Sequence, residues 1–298
     1  MARLGFVGLG VMGFPMAGYL QQAGHTVSVY NRTTQKAEDW VAKYKGSLAS
    51  TPKQAATDCD AVFVCVGNDD DVSAVILGED GVINGMKAGS VLVDHTTASA
   101  ALARELHVQC ERQNIGFVDA PVSGGQVGAE KGQLSIMAGG NERDFLQAQQ
   151  YFRAYAKASN LIGPPGSGQL CKMVNQICIA GLLEGLAEGL HFALQAGLDC
   201  EKVLAVISQG AAQSWQMENR SPTMLKDQYN HGFAVDWMRK DLAIVLAEAR
   251  RNRATLPVTA LVDQFYADVQ TMGGGRWDTS SLLKRLQQFA NSHKTVES

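Results

Sequence analysis

The plainest chemical signal in this chain is a set of three glycines within its first thirteen residues. Gly8, Gly10 and Gly13 in GLGVMG follow an apolar strand and open a helix. At this spacing the backbone turns tightly, approaches a pyrophosphate and lets helix pack on strand. With Leu9, Val11 and Met12 they form a candidate cofactor loop, whose helix N-terminus attracts negative charge. After the next strand, where an acidic residue would accept from an adenine-ribose 2′-hydroxyl, the chain reads Asn31, Arg32 and Thr33. Asn31 lacks that charge, whereas Arg32 and Thr33 offer a guanidinium and a hydroxyl suited to a 2′-phosphate, and no carboxylate follows directly. NADP(H) is therefore favoured over NAD(H), which stays open; the bland reading of Arg32 is a solvated charge at a helix start. Two later stretches, DAPVSGG from Asp119 and GSGQLCKMVNQ from Gly166, are polar and glycine-rich beside apolar segments. In the second, Lys172 and Asn175 share a helical face three residues apart, a proton donor beside an amide donor. A helix lysine taken alone is usually only a solvated charge.

The elements that must position these residues follow a βαβ grammar. Strands are expected over 2–7, 26–30, 61–66, 90–94, 117–120 and 134–138, with helical segments over 15–22, 36–44, 72–77 and 98–113. Such alternation implies a mostly parallel sheet covered on both faces. A glycine-rich turn is expected between the last two strands. After GPPGSGQ the pattern becomes helical: a long helix over 169–195, expected to be buried over much of its surface, then helices near 199–209, 236–252, 257–272 and 279–291. The reading is an α/β Rossmann domain over 1–162 and an all-α domain over 163–298, joined by the long helix.

Composition bounds the partners. The 298 residues are 46% hydrophobic and 18% charged with a formal net charge of −3, which suits packed cores and gives no electrostatic reason for nucleic acid. Six cysteines without a C-x-x-C pair, in apolar surroundings, read as reduced core residues of a cytoplasmic protein rather than bridges or metal ligands. No stretch of about 18 apolar residues runs free of polar interruption, so no membrane span is expected.

Together, GLGVMGFPMAGYL, DAPVSGG, GSGQLCKMVNQ and the late Arg239-Lys240-Asp241-Leu242 resemble the β-hydroxyacid dehydrogenase family, over essentially the whole chain and in the right order. The family includes 3-hydroxyisobutyrate dehydrogenase, tartronate semialdehyde reductase and glyoxylate and succinic semialdehyde reductases. The resemblance implies an active site in the cleft between the two domains, a small carboxylate-bearing substrate, and a homodimer or homotetramer. It makes Lys172 the proton donor and acceptor, with Asn175 beside it. It makes Ser123, Gly124 and Gly125 the loop that holds the substrate carboxylate, and Lys240 a residue that closes over the nicotinamide end. Val66 and Thr97 would line the cofactor, and Asp241 would serve packing or an interdomain salt link.

The chain departs from the family where Tyr19 replaces a common Asn and where Asp94-His95-Thr96-Thr97 replaces Asp-x-Ser-Thr. His95 is read first as a satisfied strand-end histidine and second as a site-lining one. Imine reductases, with the same architecture and often an Asn-Arg-Thr stretch, are a second enzyme reading; they generally lack the lysine, so Lys172 and the Ser123 loop argue against it. A silent cofactor-binding scaffold is the non-enzyme alternative.

Overall fold

Short apolar strands, of which the central Ala61–Val64 and Val91–Asp94 are buried at every position, build the first half of the chain with helices between them. In the computed structural model, which describes residues 1–294, these are β1 (Arg3–Val7), α1 (Gly13–Gln22), β2 (Thr26–Tyr30), α2 (Thr34–Tyr44), β3 (Ser47–Leu48), α3 (Pro52–Ala56), β4 (Ala61–Val64), α4 (Asp69–Leu77), β5 (Val91–Asp94), α5 (Ala100–Glu111) and β6 (Gly116–Asp119). Then come β7 (Val122–Ser123), α6 (Gly125–Glu130), β8 (Leu134–Gly140), α7 (Glu142–Phe152) and β9 (Ala156–Gly163). The sheet order is β3-β2-β1-β4-β5-β6-β8-β7, with β9 on β8. The first six strands are mutually parallel; β8 runs antiparallel to β6 and β7.

The alternation decides the two layers. Leu4 and Phe6 of β1, Phe63 of β4 and Val91 and Val93 of β5 point into one core with Met16, Leu20 and Trp40. Val7, Val62, Val64 and Leu92 point into the other with Val72, Ile76 and Leu106. Both faces of the parallel strands are thus covered, as a βαβ succession requires.

Helices make up the rest: α8 (Ser167–Gln195), α9 (Cys200–Ile207), α10 (Trp215–Met224), α11 (Val235–Asn252), α12 (Pro257–Thr271) and α13 (Leu282–Lys294). The chain divides into two compact units, Met1–Lys172 and the residues from Met173 onward, so the division falls inside α8. The second unit has its own core, with Leu183, Leu190, Met238, Leu242, Tyr266 and Leu282 among its buried members.

Several elements differ from the reading of the sequence. The expected glycine turn after residue 120 contains β7 and α6, so Gly125 opens a short helix. Strand β9 escapes the period-2 test because its residues are intermediate or exposed along its whole length. Helix α10 carries Pro222 inside it, which masks its helical pattern; its start is capped by Ser214 accepting from Met217 N–H. Helix α8 is less buried than expected: Val174, Leu182, Phe192 and Leu194 are exposed. By length and composition it is apolar enough to cross a membrane, yet Ala180, Leu183, Ala187 and Leu190 lie in the core of the second unit, the use a core helix makes of such a stripe. The thiols are all free, but only Cys59, Cys110 and Cys200 are core residues; Cys178 is exposed.

Candidate active site

The glycine loop runs from the end of β1 to α1. Gly8 has φ +97°, and a Cβ there would lie 2.2 Å from the Cys65 carbonyl oxygen, so both conformation and space require glycine. A Cβ on Gly10 would meet no protein atom within 4 Å, so neighbouring side chains do not demand its glycine. Helix α1 has no side-chain cap and no acidic residue in its first turn, while α3, α4 and α5 are capped by Thr51, Asn68 and Ser99. An open backbone cradle at an uncapped helix start fits a phosphate-bearing cofactor. Val11 is exposed, Met12 half-buried, and Leu9 buried beneath the loop.

Asn31 does more than lack a charge. Its Oδ1 accepts from Leu9 N–H at 2.8 Å and its Nδ2 donates to the Thr33 carbonyl at 2.9 Å, so it ties the glycine loop to the end of β2. Arg32 is 86% exposed at its side chain and pairs with Asp71 at 3.1 Å, a carboxylate from the first turn of α4. The sequence shows no carboxylate directly after Arg32, but the fold supplies one from 39 residues away. Such an exposed pair is weak, so a 2′-phosphate can compete for the guanidinium, yet Asp71 would repel that same phosphate. Thr33 occupies the N-cap position of α2 without a side-chain capping bond.

The strand ends next to the loop carry the other candidates. Val66 N–H donates to Thr96 Oγ1 at 3.0 Å, and Thr96 N–H donates to Asp94 Oδ1 at 2.9 Å, which knits residue 66 to the turn containing Thr97. Burial pushes the Asp94 carboxyl up to about 7 against its Thr96 hydrogen bonds, and Asp119, its register partner on β6, adds repulsion. His95 is buried: its Nδ1 lies 2.6 Å from the Ala120 carbonyl and its Nε2 2.8 Å from the Tyr155 hydroxyl. A carbonyl only accepts, so Nδ1 carries the proton and Nε2 accepts from Tyr155. Desolvation lowers the His95 pKa to about 4, so it is a neutral, satisfied core residue stacked on Phe63.

Around Lys172 the fold brings DAPVSGG and GSGQLCK together. Asp119 is fully buried; its Oδ1 accepts from Gly166 N–H at 2.7 Å and its Oδ2 from Gln169 N–H at 2.9 Å, anchoring the start of α8. Burial raises the Asp119 carboxyl to about 6, held from rising further by those N–H groups. Lys172, one turn along α8, is 8% exposed and its Nζ donates to the Val122 carbonyl at 3.0 Å. The next residues are Ser123, half-buried, then Gly124 at φ +131° and Gly125, both exposed. The ammonium is therefore held at the start of the Ser123 loop.

In the second unit, Asn175 donates from Nδ2 to Gln176 Oε1 at 2.8 Å, and Gln176 Nε2 donates to Asp241 Oδ2 at 2.6 Å. Lys240 Nζ lies 2.9 Å from Asp241 Oδ1 and 5.9 Å from the centre of the Trp237 ring. Asp241, buried, is thus engaged by Gln176 and Lys240, residues of its own unit. Sequence reasoning assigned no role to Asp119, Gln169, Gln176, Asp71 or Tyr155. Their partners lie far along the chain, and only the polarity of Asp119 and Gln169 beside apolar strands hinted at buried work. Among the described residues no group of three or more His, Cys, Asp or Glu converges on a metal site.

Comparison with known proteins bears on the fold and the family. A family profile described as the NAD binding domain of 6-phosphogluconate dehydrogenase matches residues 3–163. Another, described as NAD-binding of NADP-dependent 3-hydroxyisobutyrate dehydrogenase, matches residues 166–286. An uncharacterized oxidoreductase of Shewanella frigidimarina is 62% identical over 97% of this chain and 99% of its own length. The 2-hydroxy-3-oxopropionate reductase of Escherichia coli is 35% identical over 98% of this chain and 99% of its own. The crystal structure of 3-hydroxyisobutyrate dehydrogenase from Salmonella typhimurium superposes with a TM-score of 0.84 at 31% identity, covering 95% of this chain and 99% of that one.

Proposed function

The chain belongs to the β-hydroxyacid dehydrogenase family, and we propose that within it this protein interconverts a small 3-hydroxy acid and its semialdehyde, with NADP(H) as the favoured cofactor. That it is an NAD(P)-dependent oxidoreductase of hydroxyacids follows from the family; substrate and cofactor preference are our reading. The observation that carries it is the buried Lys172, oriented by the Val122 carbonyl at the start of the Ser123-Gly124-Gly125 loop.

When bound, a nicotinamide would supply or accept the hydride. Lys172 donates a proton to the substrate carbonyl oxygen in the reductive direction and takes it from the hydroxyl in the oxidative one. The Val122 carbonyl accepts one N–H of the ammonium and so fixes where the others point. The Ser123 hydroxyl and the glycine backbone after it receive the substrate carboxylate, where a larger side chain would block the approach. The family resemblance adds two expected contributors, Asn175 with an amide donor one turn beyond Lys172 on the same helix and Lys240 with a cation. Gly8 to Gly13 would hold the pyrophosphate, Val66 and Thr97 would line the cofactor, and Asn31, Arg32 and Thr33 would meet the adenine ribose. Arg32 supports NADP(H); Asp71 is the counterweight that leaves NAD(H) as the alternative.

Self-association is part of the same proposal. The exposed Leu182, Phe192 and Leu194 of α8, and an apolar groove of about 280 Å³ lined by Leu186, Leu190, Val203 and Ile207, support a homodimer or homotetramer, to be tested by sedimentation. A cytoplasmic setting, where the thiols stay reduced, is proposed with it. The decisive experiment is a panel of small semialdehydes, glyoxylate, 3-hydroxyisobutyrate and serine, each run with both cofactors. Substrate-dependent turnover of a C3 or C4 acid, faster with NADP(H), is expected; no turnover across the panel would sink the substrate reading.

A further inference from the structure

Gln169 is 1% exposed, and its side chain is used at both ends. Its Nε2 donates to the Thr96 carbonyl at 2.7 Å and its Oε1 accepts from Ala98 N–H at 3.0 Å, so one amide brackets Thr97 from two sides. Its own backbone N–H is held by Asp119 Oδ2. A carbonyl can only accept and a backbone N–H can only donate, so the bracket needs a donor and an acceptor on one planar group of this length. Asn is a methylene too short, Leu offers neither function, and an ionised Glu would turn an oxygen onto the Thr96 carbonyl. The bracketed turn is itself bound to residue 66 through Thr96 Oγ1, and Lys172 follows Gln169 by three residues on the same helix. Every bond in this path lies within the first unit.

Resting on the reading of Lys172 and of the Val66–Thr97 lining given above, we infer that Gln169 is a positioning residue: it sets the cofactor-lining turn against the lysine-bearing helix, and so hydride transfer against proton transfer. Its hydrogen bonds go to Thr96, Ala98 and Asp119, and it acts through them. Its loss leaves the glycine loop and the Ser123 loop intact and changes only the distance and angle between the two reacting ends. Misplacement of about 1 Å at a reacting centre costs on the order of 100-fold in rate, whereas binding energy collected elsewhere is little affected.

The test uses the full chain with Gln169→Leu and Gln169→Glu. Cofactor dissociation constant is read by fluorescence titration, and kcat and KM are expressed per titrated cofactor site. The kinetic isotope effect is measured with cofactor deuterated at the transferred position. The expected result is a fall in kcat of about 10- to 100-fold with Kd and KM within about threefold, and a rise of the isotope effect on kcat as chemistry becomes limiting. A kcat per site within about twofold of the parent overturns the inference, as does a loss matched by equally weakened cofactor binding; either assigns Gln169 to the fold alone. Gln169→Leu leaves two buried backbone groups unpaired and endangers folding, so Gln169→Glu keeps the length and the Ala98 acceptor, and counting per site removes unfolded protein from the comparison. Lys172→Ala separates the two claims. If that variant retains turnover, the underlying reading fails; if it is dead while both Gln169 variants are unimpaired, only the positioning role fails.

Discussion

Replacing Asp94 by Asn should make stability less sensitive to pH while leaving the fold in place. The side chain is 1% exposed, accepts from Thr96 N–H, and is raised by burial from 3.8 to about 7. An acid whose folded value lies above its unfolded one holds more protons when native, so folding becomes less favourable as pH rises between the two values. The slope is about 1.4 kcal/mol per pH unit, so parent protein loses on the order of 3 kcal/mol from this group between pH 5 and pH 7. The amide introduced by Asp94→Asn presents the same acceptor to Thr96 N–H without a charge and carries no such loss. Asp119, raised to about 6, slopes the same way, whereas His95, lowered to about 4, slopes oppositely below 6.5. The difference between variant and parent cancels most of what they share. Urea unfolding of the two proteins at pH 5 and pH 8 is the assay. The variant should gain about 2–3 kcal/mol on the parent between those conditions, less if water reaches Asp94. A gap between the curves that stays constant within about 0.5 kcal/mol would show that Asp94 is not held as a buried carboxyl, and the reasoning would fall.

Arg32→Asp should move the ratio of kcat/KM for NADP over NAD toward NAD, and Asp71→Asn should move it toward NADP; unchanged ratios in both would make the pair a bystander. Ser123→Ala is expected to raise the substrate KM with a smaller effect on kcat, and steady-state kinetics showing the reverse split would remove the carboxylate contact. His95→Leu strands the Ala120 carbonyl and the Tyr155 hydroxyl in the core, a loss of about 2–5 kcal/mol in denaturant unfolding, with cofactor binding retained in the folded fraction.

The glycine loop, the parallel strand succession and the long helix were legible because each is local: a spacing, a period or a run of helix formers. The family motifs placed Lys172 and Ser123 around one expected cleft even though 49 residues separate them; the hydrogen bond from Lys172 to the Val122 carbonyl is what the structure adds. Helix α10 and strand β9 were not legible, since a proline interrupts one pattern and exposure on both faces blurs the other. Asn31 reads as a missing carboxylate in sequence and proves to be a two-ended link between loop and strand.

Local patterning in the sequence therefore determined which segments are strand or helix and where a phosphate could approach, while the resemblance to a family marked which lysine is the candidate proton carrier. The tertiary structure alone decided what surrounds those groups. Asp71 reaches Arg32 across 39 residues, Asp119 grips the start of α8 across 47, and Gln169 spans 71 and 73 residues to bracket Thr97. The physical reason is that a buried polar group must find its partner wherever the sheet brings one. That requirement is satisfied by strand order and register, which no local window of sequence contains.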